Sequence, residues 1–175
     1  MLRRHLGVCL DSCHAAIAFE APLAAIEALE AAGIGIGKLQ LSACLRIPRV
    51  TAETRRQLQP FADPVYLHQV AEKSDAGLRR FTDLDEAFAS LGEGAPPREW
   101  RVHFHVPIFH RELAPFATTQ DFLATVLARH RQRPITSHLE VETYTWSVLP
   151  ERYRGEDVNS AVARELAWAR ERLAQ

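Results

Sequence analysis

The stretch RHLGVCL, residues 4–10, is followed a few residues later by AIAFEAPLAAIEALEAAG, residues 16–33. The first stretch is a short apolar run typical of a buried β-strand, and the second is an alanine-rich segment typical of a helix. Pro22 near the start of the second stretch and Gly33 at its end are residue types that begin and end helices. A strand followed by a helix is the repeating unit of α/β proteins, so this stretch predicts the fold class.

The same alternation continues along the chain. Further strands are predicted in KLQLSACL at residues 38–45, EWRVHFHVPIF at 99–109 and ITSHLEVETYTW at 135–146. Further helices are predicted over residues 51–61, 83–92 and 118–132, and in a last segment with a stripe of Val158, Val162 and Leu166. Residues 63–81 form an irregular excursion with a hairpin near Ser74 to Gly77. This pattern favours parallel strands, in an open doubly wound sheet or part of a barrel.

Composition excludes several classes of function. The 175 residues are 47% hydrophobic and 25% charged, as in one ordinary globular domain. The net charge of -1, from 21 basic and 22 acidic residues, gives no reason to expect a nucleic-acid partner. No stretch approaches the roughly 20 apolar residues of a membrane span, and Asp11 interrupts the apolar start too early for a signal peptide. The three cysteines lack the spacing of a zinc site, so we expect a reducing compartment, the cytoplasm.

Residues with metal-binding chemistry gather near the predicted strand ends. Strand alternation places His103 and His105 on one face, and likewise Glu140 and Glu142. In parallel sheets the carboxyl ends of the strands meet at one edge, where active sites form. The residues that could bind a divalent ion such as Zn²⁺, Mn²⁺ or Mg²⁺ are Asp11, His14, His103, His105, Glu140 and Glu142.

Simpler explanations exist for each candidate. The histidines could be ordinary structural residues, Asp11 could only cap a helix, and the two glutamates could face solvent on an edge strand. The candidate substrate contacts are equally open. Lys38 could lie on the surface or beside a metal, Trp146 could belong to the core or to a substrate platform, and Arg80 could bind a phosphate or only water.

Four segments together resemble a known family: LDSCH at residues 10–14, IGKLQLSA at 36–43, EWRVHFHVPIF at 99–109 and HLEVETYTWSVLP at 138–150. They are similar to the carboxyl-terminal part of the EboE-like metabolite traffic proteins. That family is a branch of the xylose-isomerase-like (sugar phosphate isomerase/epimerase) TIM barrels. The resemblance implies Asp11, His14 and Glu142, or else Glu140, as metal ligands. Its middle ligand is Gln40, where simple epimerases have a histidine, or His103 or His105.

The resemblance also implies half a barrel. A (β/α)₈ barrel takes about 250 residues, so this chain would supply the carboxyl-terminal half of a single TIM-barrel domain, without the amino-terminal strands. Exposed parallel edges would then invite another chain, or a second copy, to complete the barrel.

The function that follows is a metal-dependent isomerase or epimerase of the EboE type, acting on a sugar-like or polyol metabolite. Glu142 and His14 would be its catalytic residues, and Lys38, Trp146 and Arg80 its substrate contacts. The alternative is a non-catalytic protein that binds and passes on such a metabolite. Metal-assisted hydrolysis of a phosphate ester comes third, because a nucleic-acid substrate would need more basic surface.

Overall fold

The structure is a computed structural model that describes residues 5–92, 96–142 and 145–175. Its strands are β1 (Val8–Asp11), β2 (Ile36–Leu41), β3 (Ala43–Ile47), β4 (Val70–Ser74), β5 (Gly77–Phe81), β6 (Arg98–Val106), β7 (Glu112–Leu113), β8 (Phe116–Thr118) and β9 (Leu139–Val141). Its α-helices are α1 (Ser12–Ile17), α2 (Ala24–Ala31), α3 (Thr54–Leu58), α4 (Leu84–Ala89), α5 (Gln120–Gln132) and α6 (Val158–Ala174), and short 3₁₀ helices cover Gln59–Phe61 and Glu151–Tyr153.

The strands form two sheets of opposite character. A three-stranded parallel sheet has the order β1-β2-β9. A six-stranded sheet has the order β5-β4-β6-β3-β8-β7, and all of its pairings are antiparallel. The chain passes from the first sheet to the second at Ser42, the single residue between β2 and β3.

Hydrogen bonds with Ser12, the first residue of α1, fix this corner. The Ser12 hydroxyl lies 2.7 Å from the carbonyl oxygen of Ser42 and 2.9 Å from that of Gln40, and it accepts the Ser42 N–H at 3.0 Å. Both serines are buried, so these bonds satisfy backbone groups that would otherwise be unpaired at the break between the sheets.

The predicted half TIM barrel with parallel strands alternating with helices is wrong, because most of the sheet structure is antiparallel. Parallel neighbours need a crossover of a dozen or more residues, whereas antiparallel strands can be joined by a tight turn. Here β4 and β5 are joined by the turn that ends at Gly77, whose φ of 111° suits glycine. The hairpin predicted near Ser74 to Gly77 is therefore confirmed, and it belongs to the large sheet rather than to an excursion. We expected a second chain to complete the barrel. This expectation depended on the half-barrel fold and is no longer supported.

Two helix predictions also need correction. The segment from residue 16 to 33 is not one helix: α1 ends at Ile17, Phe19 has a φ of 57°, and α2 begins after Pro22. In α6 the buried stripe is not the predicted valine and leucine stripe, since Val158 and Leu166 are exposed. The buried residues of α6 are Ala161, Glu165 and Ala169.

The main core lies on the antiparallel sheet. Trp100 and Phe104 of β6 are fully buried, and Phe104 meets Phe61 edge to face at 5.1 Å between ring centroids. The Trp100 indole donates to a carboxylate oxygen of Glu72 at 2.7 Å, which satisfies its buried N–H. Among the described residues, each helix is too short or too polar to cross a membrane.

Candidate metal centre

The candidate site lies at the carboxyl edge of the parallel sheet. Asp11 is the last residue of β1, Gln40 pairs with it in register on β2, and Glu142 directly follows β9. Because the three strands are parallel, their carboxyl ends meet at the same edge and bring these side chains together. Strand β6 of the antiparallel sheet supplies the remaining side chains, His103 and His105.

Asp11 is held by a dense set of hydrogen bonds. One carboxylate oxygen accepts from the Ser42 hydroxyl at 2.7 Å and from the backbone N–H groups of Cys13 and His14 at 2.8 and 3.3 Å, so Asp11 also caps α1. The other oxygen lies 2.7 Å from Nδ1 of His14. Burial alone would raise the pKa of Asp11, but the hydrogen bonds from His14 and Ser42 outweigh it and hold that pKa well below its ordinary value. The side chain is therefore an anion at neutral pH.

The Gln40 amide stands between two carboxylates. Its Nε2 group donates to Asp11 at 2.9 Å and to Glu142. An amide nitrogen carries two N–H donors, so it can serve both acids at once. Burial raises the pKa of Glu142, and the nearby negative charge of Asp11 raises it further. The two carboxylates thus lie close together in a half-buried position, where their negative charge would stabilise a bound cation.

Two imidazoles from β6 complete the surroundings. Nδ1 of His105 lies 3.3 Å from the Glu142 carboxylate, and the rings of His103 and His105 are 5.2 Å apart. Burial lowers the pKa of His103 and of His105 to about 4. Both rings are therefore neutral at pH 7, the form in which histidine binds metal ions.

Among the residues that the structure describes, two groups of side chains are close enough to hold a metal ion. In each group one donor atom per residue lies within 4.8 Å of the others, and the groups are Asp11 with His105 and Glu142, and Cys13 with His103 and His105. Carboxylate and imidazole donors are accepted by Zn²⁺ and Mn²⁺. The first group thus matches the chemistry of a divalent cation, while the identity of the ion is not fixed by it.

Other predicted ligands stand outside these groups. Glu140 forms an ion pair with Lys38 at 2.8 Å, and both side chains are partly exposed. Each glutamate of the last strand therefore has its own partner on β2: Lys38 for Glu140 and Gln40 for Glu142. His14 is 55% exposed and bonds to Asp11, and its ring centroid lies 4.5 Å from that of His103, so it supports the site from the solvent side. The bond to Asp11 raises the pKa of His14.

The predicted substrate contacts lie in separate places. Arg80 and His14 line one cavity of about 410 Å³, which also includes Gln69 and Phe81. Trp146 lies with His105 and Glu142 around a narrow enclosed space that does not admit a water molecule. Lys38 forms an ion pair with Glu140 and, among the described residues, lines neither of these two spaces. The last strand is shorter than predicted, because β9 covers only Leu139–Val141 and Trp146 lies in a turn, while Thr143 and Tyr144 lie outside the described residues.

Two residues of this region make contacts with the site that the sequence analysis did not predict. The Ser42 hydroxyl donates to Asp11. Its position two residues after Gln40, on the same face, could have indicated this contact from the sequence. The cysteines lack the spacing of a zinc site in the sequence, yet the turn from β1 into α1 brings the Cys13 thiol to the histidines. Comparisons with protein-family models, curated proteins and solved structures found no match for this chain.

Proposed function

We propose that the protein is a metal-dependent isomerase or epimerase that acts on a small sugar-like or polyol metabolite. The observation that carries the proposal is the convergence of Asp11, His105 and Glu142 from three separate elements. These residues would hold a divalent cation, for which Zn²⁺, Mn²⁺ and Mg²⁺ are the candidates. The substrate class is the one that the resemblance to EboE-like proteins implies, and the free thiols of the cysteines suit the cytoplasm as the compartment.

Different residues of the chain would carry out different parts of the reaction. A bound divalent ion supplies polarisation of a carbonyl oxygen and its neighbouring hydroxyl. Glu142 is 35% exposed and has a raised pKa, which suits a carboxylate that accepts and returns a proton between adjacent carbons. Asp11 stays ionised and holds its place through Ser42 and His14, so it serves as a fixed ligand. His14 presents its ring to the cavity, where it can donate a proton to a substrate oxygen.

The cavity beside His14 is the proposed substrate pocket, and the hydrogen bond between His14 and Asp11 connects it to the metal group. Its volume of about 410 Å³ suits a small metabolite. Arg80 lies at its edge and could receive a phosphate or carboxylate group, because a guanidinium binds such anions through paired hydrogen bonds. Phe81 offers an apolar wall for the carbon skeleton. The pocket thus fits a polyol that carries one anionic group.

Metal binding is tested with a matched pair of variants. Glu142→Gln and Glu140→Gln remove the same charge from neighbouring positions, but only Glu142 belongs to the metal group. A ligand at 100 times its dissociation constant should stabilise the folded protein by about 2.7 kcal/mol. We expect Mn²⁺, which prefers oxygen donors, to raise the melting temperature of the wild type and of the Glu140→Gln variant, and to leave that of Glu142→Gln unchanged. Equal shifts in both variants, or none in the wild type, would refute the metal site.

Catalysis is tested by proton exchange. The metal-loaded protein is incubated in D₂O with a panel of aldoses, ketoses and their phosphates, and incorporation of deuterium at carbon is followed by NMR. We expect exchange with the wild type and with Glu140→Gln, and none after EDTA treatment or with Glu142→Gln. Exchange that survives EDTA would contradict a metal-dependent mechanism.

A non-catalytic binding protein is the second candidate, and Gln40 is the observation that favours it. Its amide donates to both Asp11 and Glu142, so the two carboxylates are held in place even when no ion is bound. This reading predicts that a panel compound binds, by calorimetry, while no deuterium is incorporated with any metal. Metal binding with measurable exchange would exclude it.

A further inference from the structure

We propose that Cys13, His103 and His105 form a thiolate–imidazole metal position beside the carboxylate position, so that the centre selects Zn²⁺ or Co²⁺ over Mg²⁺ and Mn²⁺. The inference rests on the proposed metal centre, whose His105 it shares. A single ion would occupy the pair of positions, with soft ions on the thiolate side and hard ions on the carboxylate side.

Local structure fixes the Cys13 thiol at this point. Cys13 follows Asp11 by two residues, and its backbone N–H donates to Asp11 at 2.8 Å and lies 3.1 Å from the Ser42 hydroxyl. The side chain is fully buried and cannot turn towards solvent. Helix α1 packs across β6, so the thiol comes within 4.8 Å of a ring nitrogen from each of the two histidines.

One buried atom of this group has an unused lone pair or proton. Nε2 of His103 is inaccessible to solvent and has no hydrogen-bond partner among the described residues. Most buried polar atoms in proteins are hydrogen-bonded, and an exception calls for an explanation. An ion bound by Cys13 and His103 would satisfy this nitrogen. The ring of His14 packs 4.5 Å away and closes the histidine from the solvent side.

The donor set discriminates among divalent ions. Thiolate and imidazole are preferred ligands of Zn²⁺, whereas Mg²⁺ prefers oxygen donors and keeps several of its waters. On binding, the Cys13 thiol releases its proton to solvent and the cation takes its place, so the sulfur becomes a ligand with one negative charge. The carboxylates of Asp11 and Glu142 lie next to the position and offset the remaining positive charge of the ion.

Cys44 is a control for a second buried thiol, one that forms a hydrogen bond with the Cys13 thiol. It is as fully buried as Cys13 and packs in the same small apolar cluster with Ile17 and Ala71. Its thiol lies 3.5 Å from the Thr119 hydroxyl, and it does not belong to either metal group among the described residues. Exposed Cys9 is a second control, because its sulfur lies on the outer side near Gln40.

The test is a titration of the full chain with Co²⁺, followed by absorbance and by calorimetry in parallel. A cobalt–thiolate bond gives an intense near-ultraviolet charge-transfer band. We expect the band with the wild type, Cys44→Ser and Cys9→Ser, and its loss with Cys13→Ser while Co²⁺ still binds through the carboxylate position. A competition with Mg²⁺ should leave the band of the wild type unchanged at a large excess of Mg²⁺.

The outcomes separate this inference from the proposed function. If Co²⁺ binds to the wild type without the band, or if the band survives Cys13→Ser, the thiolate position is refuted and the carboxylate site stands. If Co²⁺ does not bind at all, both are refuted. Should Cys13→Ser fail to fold, His103→Asn serves instead, since His103 belongs to the thiolate group and not to the carboxylate group: it should lose the band and keep Co²⁺ binding.

Discussion

The parallel sheet and the antiparallel sheet contribute different things to the centre. The outer parallel strands β1 and β9 contain no fully buried residue among those described, and they end in the acids Asp11 and Glu142. Strand β6 of the antiparallel sheet is the longest strand, and it carries its two histidines among fully buried apolar residues. The acids therefore lie on strands whose side chains are partly exposed, and the imidazoles lie on a strand whose apolar side chains are buried. The centre thus combines a partly exposed charged half, held by hydrogen bonds, with a more buried neutral half.

The largest effect is expected from the more buried half. Phe104 lies between the two histidines in sequence, points to the opposite face and is 1% exposed, in contact with Phe61 and stacked on His68. Phe104→Ala should lower the free energy of unfolding by about 3–5 kcal/mol, through lost burial and the cavity left behind. The measurement is urea denaturation followed by circular dichroism.

Two controls decide whether the contrast between the sheets holds. Leu78→Ala removes an exposed side chain of the same sheet and should change stability by no more than about 0.5 kcal/mol. Leu139→Ala truncates a partly buried residue of β9 and should cost less than Phe104→Ala. A cost at Leu139 equal to that at Phe104 would mean that the parallel sheet carries as much stability as the antiparallel one.

The next effect concerns the charged half. Gln40→Leu removes the amide that bridges Asp11 and Glu142, and it leaves two partly buried acids facing each other. We expect the metal-free protein to lose about 1–3 kcal/mol of stability, the usual cost of removing partners from buried polar groups. The stabilisation gained from Mn²⁺ or Zn²⁺ should increase, because the cation then relieves a repulsion that no amide relieves. Thermal melts with and without each metal measure both quantities.

Ser42→Ala is the matched control for Gln40→Leu. It removes a hydrogen bond to Asp11 from the side away from Glu142, so it lowers stability without bringing the two acids into conflict. Its metal-induced shift should not exceed that of the wild type. An increase in both variants would show that any loosening of Asp11 improves binding, and that the bridging role of Gln40 is not the cause.

A smaller, pH-dependent effect on stability is expected from an ion-pair network of the antiparallel sheet. Glu99 of β6 accepts from Arg46 of β3 and from Arg101, each at 3.0 Å. Burial would raise the pKa of Glu99, but these two bonds outweigh it and lower the pKa below its ordinary value of 4.5. An acid whose pKa is lower in the folded state adds stability above its unfolded pKa and loses it as the pH falls through the folded pKa. Glu99→Gln should therefore cost at most about 1 kcal/mol near neutral pH, since the network is partly exposed and solvent screens it.

The measurement for Glu99 is a series of urea titrations from neutral to acid pH. The difference between the wild type and Glu99→Gln should shrink as the pH falls below about 4.5. The melting shift with Mn²⁺ or Zn²⁺ at neutral pH should stay as in the wild type, because the network lies outside both metal groups. A difference that grows towards acid pH would contradict the lowered pKa.

The same contrast explains what the sequence could and could not predict. Alternation and turn residues are local signals, and they located the hairpin at Gly77, the long strand around His103 and the strand end at Asp11. Sheet direction depends on which distant strands pair, and periodicity does not encode it: β3 follows β2 after one residue yet joins another sheet. The carboxylates were found because they sit at strand ends. The position of the Cys13 thiol beside the histidines was not found, because a sequence does not show which side chains surround a buried thiol.

The smallest effect is expected at the surface of the parallel sheet. Lys38 and Glu140 form a solvent-exposed ion pair one step away from Gln40 and Glu142 on the same two strands. Exposed pairs of this kind contribute little to stability, because water and salt screen them and two flexible side chains must be ordered. Lys38→Ala should therefore leave the melting temperature and the metal-induced shift as in the wild type. If Lys38→Ala instead strengthened metal binding, Glu140 would be able to turn towards the ion once released. The centre would then draw on both acids of the last strand rather than on Glu142 alone.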